Sequence, residues 1–384
     1  MDETTTVIIV GAGPAGLATS ACLNMFSIPN IVLEREDCCA SLWRKRAYDR
    51  LKLHLAKRFC ELPHIGFPPN SPKFVPRNDF IEYLDSYVSK FEINPRYMRQ
   101  VEEAIHDGER WRVRVKDLGR DEYEEVYCGK YLVVATGENS EAIIPKSPGL
   151  EGFKGEVMHS NQYHNGERFE GKDVLVVGCG NSGMEIAYDL SNWGAKTSIV
   201  VRSPVHILSK GIVYKAMRLL PYLPVNVVDR LIVGMAKLKF GDLSKFGIEQ
   251  PKLGPFTLKS KTGRTPTIDT GTVGRIKAGE IKVVPAITGI TGDHDVKFAD
   301  GKTEHFDAII FATGYRSTVR RWLKDGDKLF NEDGMPARRF PKHWKGKNGV
   351  YCVGFGQKGL AGISMDAIQV AGDIRTLILH ELLH

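Results

Sequence analysis

Apolar residues in this chain fall into two formats: short unbroken runs closed by glycine, and longer stretches with apolar positions at helical intervals. Thr6-Val7-Ile8-Ile9-Val10 and Val174-Leu175-Val176-Val177 belong to the first format. Runs without polar alternation read as strands covered on both faces, as in a parallel sheet. Each leads into a glycine-rich turn and then a helix-like stretch, Leu17 to Leu23 in one case and Met184 to Ala187 in the other. Two further runs, Tyr131 to Val134 and Phe306 to Phe311, echo one another because each ends in Ala-Thr-Gly. These paired turns are expected to let the backbone cross between domains with little side-chain bulk. From Gly211 to about Lys239, the spacing of Ile212, Met217, Leu219, Leu220, Val227, Val228, Leu231 and Ile232 predicts two amphipathic helices broken near Pro221 and Pro224. Core or interdomain packing is the first reading of that segment, and a substrate lid is the alternative.

The glycine turns carry the first chemistry. One comprises Gly11, Ala12, Gly13, Pro14, Ala15 and Gly16; the other comprises Gly178, Cys179, Gly180, Asn181, Ser182 and Gly183. A lone G-x-G-x-x-G is a weak signal, whereas two in matching strand–turn–helix frames are a much stronger one. The first glycine permits the sharp turn, the second lets a pyrophosphate approach the backbone, and the third permits tight strand–helix packing. The chain therefore reads as α/β, with two nested Rossmann-like dinucleotide-binding domains. The strand Ile31-Val32-Leu33 ends in Glu34, placed to accept ribose hydroxyls and so suited to FAD or NAD. The strand Thr197 to Val201 ends in Arg202 and Ser203, where a guanidinium pairs with a 2′-phosphate and favours NADPH. A solvated surface arginine is the plainer alternative for Arg202. The expected division is a first dinucleotide domain, for FAD or NAD, over 1–170, an NADPH domain over 171–303 and a return to the first domain over 304–384.

Composition narrows the class. A chain of 384 residues with 42% apolar and 26% charged residues is large enough for two cores. The net charge of +7 is scattered, with no dense basic run interleaved with aromatics, so no nucleic-acid partner is expected. Cysteines stand at 22, 38, 39, 60, 128, 179 and 352 without a C-x-x-C, which speaks against a redox dithiol beside a flavin. No Cys/His cluster has metal-ligand spacing, so no metal is expected. The pairs Glu102-Glu103 and Glu124-Glu125 read as solvated faces. No cleavable leader and no apolar run of transmembrane length are visible, which makes a cytoplasmic location the default.

Between the two turns, Phe153, Gly155, His159 and Tyr163 fit F-x-G-x-x-x-H-x-x-x-aromatic. With a glycine turn on each side, this pattern resembles the fingerprint of flavin-containing monooxygenases. The segments SLWRKRAYDRLKLHLAKRFCELP, LVVATGEN, GNSGMEIAYDL, LGPF, FDAIIFATGY, PKHWKGKNGVYCVGF and GLAGISMDA are similar to the plant YUCCA group, the indole-3-pyruvate monooxygenases of auxin synthesis, over nearly the whole chain. Without that resemblance, His159 reads as structural.

The resemblance implies FAD and NADPH as cofactors, with dioxygen and indole-3-pyruvate or a similar aryl 2-oxo acid as substrates. The implied products are indole-3-acetate and carbon dioxide, formed by way of a flavin C4a-peroxide. It also places Leu42 and Trp43 against the flavin, although Trp43 reads equally well as a core aromatic. Asn139 and Asn181 are candidates to stabilise activated oxygen by hydrogen bonding, and both also suit turns. Lys57 or Arg58 is a candidate partner for the substrate carboxylate, with a surface charge as the alternative for each. One departure stands out: many two-nucleotide flavoproteins place an Asp after the glycine of the final strand, where this chain has Gly354-Phe355, so backbone amides or Asp366 are candidate replacements. Oxygenation at nitrogen or sulfur centres or of other 2-oxo acids stays open within the class. Outside it stand an NADPH-dependent flavin reductase without oxygen insertion and a nucleotide-sensing module without turnover.

Overall fold

A computed structural model of the chain describes residues 2–120, 123–324 and 329–383. Its contacts divide into two compact units, one built from 1–45, 57–141 and 315–384 and the other from 46–56 and 142–314.

In the first unit the apolar run near the N-terminus forms the strand Asp2–Val10, which pairs in parallel with Asn30–Leu33 on one side and Glu124–Val134 on the other. The Glu124–Val134 strand changes partner along its length. Its first half runs antiparallel to Trp111–Asp117, and its end runs parallel to Val350–Cys352. Arg99–His106 completes the sheet beside Trp111–Asp117. Ile8, Val10, Leu132, Val134 and Val350 fill the core on one face, which explains why those runs lack polar residues. Glu125, expected on a solvated face, is instead half-buried. It takes a bidentate pair from Arg99 at 3.1 and 2.8 Å, and that cation holds its carboxyl below the usual range.

The second unit has a parallel five-stranded sheet in the order Ile281–Val284, Lys196–Val200, Asp173–Val177, Ala308–Phe311 and Glu156–His159. A short parallel pair, Ile207–Ser209 with Thr267–Asp269, and an antiparallel sheet of Ile287–Thr291, Asp295–Phe298 and Thr303–His305 belong to the same unit. The predicted helix pair is present as Lys210–Leu219 and Val225–Phe240, with Pro221 and Pro224 in the gap. Its buried positions Ile212, Val213, Val228 and Ile232 join the core of this unit.

The units part at Glu141 and rejoin at Tyr315, where the sequence reading put 170 and 304. Pairing of Glu156–His159 with Ala308–Phe311 explains the shift, because it binds the segment 142–170 and the strand before Gly314 into the second sheet. The stretch 46–56 also belongs there. Tyr48 lies in the core of that unit, and the Asp49 N–H donates to the His164 carbonyl at 2.9 Å.

Candidate functional site

The two glycine turns are built to one plan. Gly11 has φ +107° and Gly178 has φ +118°, conformations that L side chains rarely adopt. A Cβ on Gly11 would lie 2.7 Å from the Ala135 carbonyl oxygen, and one on Gly178 would lie 2.6 Å from the Ala312 oxygen. The echo Ala-Thr-Gly is thereby explained: in each unit its alanine packs directly on the first glycine, with Ala135 N–H donating to Val10 and Ala312 N–H to Val177, each at 2.9 Å. This role adds to the expected crossover of the backbone, since the chain passes from one unit to the other at 141/142 and 314/315, just beyond the two turns. Gly16 and Gly183 are closed to any side chain, since a Cβ there would sit 1.8 and 1.9 Å from the Gly11 and Gly178 oxygens.

At Gly13 and Gly180, by contrast, a Cβ would meet nothing within 4 Å among the described residues. These two glycines are the N-caps of the helices Pro14–Asn24 and Asn181–Asn192, and among the described residues no side chain caps either helix. Each turn therefore presents open backbone and helix N-terminal amides, the arrangement a pyrophosphate fits.

The ends of the second strands differ in setting. Glu34 is buried, and its carboxylate accepts from the Ala12 N–H at 2.7 Å and the Glu36 N–H at 3.0 Å. Burial pushes its carboxyl up, while the two amides and Arg35 pull the other way. It braces the first turn and keeps two further acceptor positions. Arg202 is exposed, Ser203 is half-buried, and Arg264 donates to the nearby Pro204 carbonyl at 3.0 Å.

The Phe153 to Tyr163 pattern is a brace. His159 is 1% exposed, with Nε2 3.1 Å from the Gly314 carbonyl and Nδ1 3.1 Å from Asn161 Oδ1. Burial holds the imidazole below its ordinary pKa. The Tyr163 hydroxyl donates to Asp189 Oδ2 at 2.6 Å, and the Gly166 N–H shares that oxygen at 3.0 Å. A Cβ on Gly155 would strike the Asp307 carbonyl and the Phe153 ring, both at 2.5 Å. The polar members of the pattern fasten this segment within the second unit, His159 to the turn after Phe311 and Tyr163 to the helix Asn181–Asn192.

Other candidates are placed less simply. Leu42 and Trp43 lie half-buried on the short helix Ser41–Lys45, and the Trp43 ring meets Phe80 edge-on at 4.6 Å. Asn139 is exposed beyond the first Ala-Thr-Gly turn. The Asn181 amide is committed inside the second unit: Oδ1 accepts from the Ile268 N–H at 2.8 Å, and Nδ2 lies 3.4 Å from His54 Nδ1. Its side-chain carbonyl thus fastens the turn to the strand Thr267–Asp269. Lys57 spends its ammonium on the carbonyls of Pro68, Pro69 and Ser71, at 3.4, 3.0 and 2.8 Å, which makes it a loop fastener and removes it as a carboxylate partner. Arg58 is exposed, with its guanidinium 5.2 Å from the Phe59 ring. Asp366 is fully buried and accepts from the Gly354 N–H at 3.1 Å beside His343 at 3.2 Å, so it secures the Gly354 turn from within. Burial pushes the Cys22 and Cys60 thiols up to about 12, far from thiolate character at neutral pH.

Sequence reading missed a polar contact beside the second turn. Glu185, on the helix that follows the second glycine turn, is 2% exposed and lies 2.9 Å from His54 Nε2. Arg50 donates to the Glu185 backbone carbonyl at 3.0 Å. Its only sequence signal was an acid flanked by the apolar Met184, Ile186 and Ala187.

An α/β chain with two such turns, one ending its second strand in a carboxylate and the other in a guanidinium, defines a two-dinucleotide oxidoreductase. A family model described as flavin-binding monooxygenase-like matches residues 4–326, and the chain belongs to that family. It is 51% identical over 376 residues to the probable indole-3-pyruvate monooxygenase YUCCA10 of Arabidopsis thaliana, covering 97% of this chain and 98% of that one. It is 50% identical over 377 residues to the indole-3-pyruvate monooxygenase YUCCA1 of rice (Oryza sativa subsp. japonica), covering 96% and 90%. A flavin-containing monooxygenase from Stenotrophomonas maltophilia superposes with a TM-score of 0.73 at 21% identity, covering 98% of this chain and 100% of that chain. A bacillithiol disulfide reductase from Bacillus cereus does so with a TM-score of 0.71 at 19% identity, covering 97% and 99%. The structural likenesses establish the two-domain Rossmann-type fold, and family membership makes the protein a flavin monooxygenase with FAD and NADPH as its cofactors. Among the described residues no helix is long and apolar enough to cross a membrane.

Proposed function

We propose that the acceptor is indole-3-pyruvate and that the protein acts in the cytoplasm. NADPH, dioxygen, a proton and the 2-oxo acid would give indole-3-acetate, carbon dioxide, water and NADP. The observation that carries this reading is identity near 50% along matching lengths with relatives named for that reaction. Bound FAD would supply the hydride acceptor and the activation of dioxygen, so no side chain need act as nucleophile.

The chain's own residues then bind and orient. Gly11 to Gly16 would hold the FAD pyrophosphate, and Glu34 would offer its remaining acceptor positions to the adenosine ribose. Gly178, Cys179, Gly180, Asn181, Ser182 and Gly183 would hold the NADPH pyrophosphate, with Arg202 and Ser203 on the 2′-phosphate. The fit of a phosphorylated partner is supported by the exposed guanidinium just beyond Val200 and by Arg264 nearby. Leu42 and Trp43 would contribute apolar surface to the flavin ring. Toward activated oxygen, Asn139, exposed at its turn, would offer its whole amide, and Asn181, whose carbonyl oxygen is held by the Ile268 N–H, would offer its NH2 group.

The test is to reduce the purified protein with NADPH without oxygen, admit labelled dioxygen, and supply indole-3-pyruvate, phenylpyruvate or an amine in turn. The expected outcome is carbon dioxide release with indole-3-pyruvate and one labelled oxygen in the acid product. Label appearing only in an oxygenated amine or sulfide would move the acceptor elsewhere in the class. NADPH consumption with no label in any organic product would overturn oxygen insertion.

A further inference from the structure

Within the second unit lies a cavity of about 550 Å³, within the size range of small-ligand sites, whose wall carries Arg50, Lys52, Lys210 and Lys239. Two carboxylates share the wall, Glu185 and Asp269, and both are already engaged. Glu185 faces His54 at 2.9 Å, and Asp269 accepts from the Gly271 and Val273 N–H groups at 3.2 and 3.0 Å. The arginine is held in place, since its Nη1 donates to the Glu185 carbonyl at 3.0 Å and its guanidinium lies 4.2 Å from the Tyr188 ring centre. Lys210 Nζ stands 3.4 Å from the Leu53 carbonyl. Burial lowers the pKa of this ammonium, Glu185 opposes that shift, and Lys52 and Arg50 add to it, so a further negative charge here would be welcomed. The Thr270 hydroxyl is buried and finds no hydrogen-bond partner among the described residues. Next to Lys210, a Cβ on Gly211 would meet nothing within 4 Å, which leaves room at that wall.

We propose that this cavity receives the carboxylate of the acceptor, a 2-oxo acid, with Arg50, Lys52 and Lys210 as its counter-charges. The inference rests on the acceptor class given under the proposed function. A wall whose four cations outnumber two engaged carboxylates, with two hydroxyls and no aromatic, suits the charged head of such a molecule and leaves its ring to be met elsewhere. The dinucleotide phosphates are provided for separately by the open glycine turns and by Arg202. It also supplies the counter-charge that Lys57, tied to three carbonyls, does not.

The test uses the FAD-loaded protein with NADP present, and it compares indole-3-pyruvate with the corresponding methyl ketone, which lacks the carboxylate. Lys210→Gln is expected to weaken indole-3-pyruvate about tenfold or more, the loss of a charge-assisted contact, while the methyl ketone and NADP change by less than about twofold. Lys210→Arg is expected to recover most of the loss. Should Lys210→Gln fold poorly, exposed Lys52→Gln is expected to show the same split at about threefold. Equal weakening of acid and ketone, no change in either, or a loss confined to NADP would each overturn the proposal, the last by showing that the cavity serves phosphate. A parent protein that releases no carbon dioxide from indole-3-pyruvate defeats the functional reading itself. Turnover by the parent with Lys210→Gln unaffected defeats only the subsite.

Discussion

Gly13 and Gly16 stand in one turn under different constraints. A methyl group on Gly16 collides with backbone at 1.8 Å, whereas one on Gly13 enters open space where a pyrophosphate would approach. Gly16→Ala is therefore expected to lose about 3 kcal/mol of stability together with its flavin. Gly13→Ala, whose φ of −72° suits alanine, should keep its melting temperature and lose only flavin, read as the ratio of visible flavin absorbance to protein. Arg202→Ala should weaken NADPH roughly 10–100-fold and NADH by far less, since a guanidinium–phosphate contact is worth about 1.5–3 kcal/mol; equal losses would remove the arginine from the 2′-phosphate. These positions were legible because the constraint is local, set by spacing within one turn. His54 and Glu185 were not, because a contact across 131 residues leaves no mark on either neighbourhood.

At the scale of elements, what could be read was what periodicity encodes. The helices Lys210–Leu219 and Val225–Phe240 follow from apolar spacing and two prolines. The bounds of the two units did not follow, because the pairing of Glu156–His159 with Ala308–Phe311 is fixed by register between distant strands. The role of Asp229 was equally hidden. From the second of those helices its carboxylate accepts from the Phe256 and Thr257 N–H groups at 2.9 and 3.0 Å, capping the helix Pro255–Thr262 from outside. Asp229→Ala should cost about 1–3 kcal/mol, because it leaves two buried or half-buried amides unpaired. Chemical denaturation would show it, and a loss below about 0.5 kcal/mol would mean that water caps the helix equally well. The brace at His159 makes a pH prediction. Its pKa is lowered from 6.5 by burial, so the unfolded chain binds the proton more readily. The resulting stability is complete above about pH 6.5 and declines as the pH falls from there toward the folded-state value. His159→Gln should flatten the loss of stability between about pH 7 and 5 relative to the parent, and unchanged slopes would show that the imidazole is not the group being titrated.

For the whole molecule, each glycine turn belongs to a separate compact unit with its own core, Ile8, Leu132 and Val350 in one and Val174, Ile199 and Ile310 in the other. Each turn is completed inside its unit, the first by Ala135 and Glu34 and the second by Ala312 and Asn181. Binding of the two dinucleotides should consequently be separable by mutation. Gly13→Ala should be colourless yet still gain stability from NADP, by about 2.7 kcal/mol when the ligand is at about 100 times its dissociation constant. Gly180→Ala should remain yellow and gain nothing from NADP at the same concentration, and NADPH should no longer bleach its flavin. The measurement is the shift in unfolding midpoint with each ligand, read beside the flavin spectrum. If Gly13→Ala lost its response to NADP along with its flavin, the second site would depend on the first, and the independence implied by two self-contained turns would be wrong. If Gly180→Ala were still reduced by NADPH at the parent rate, the second turn would not be where the reductant is held.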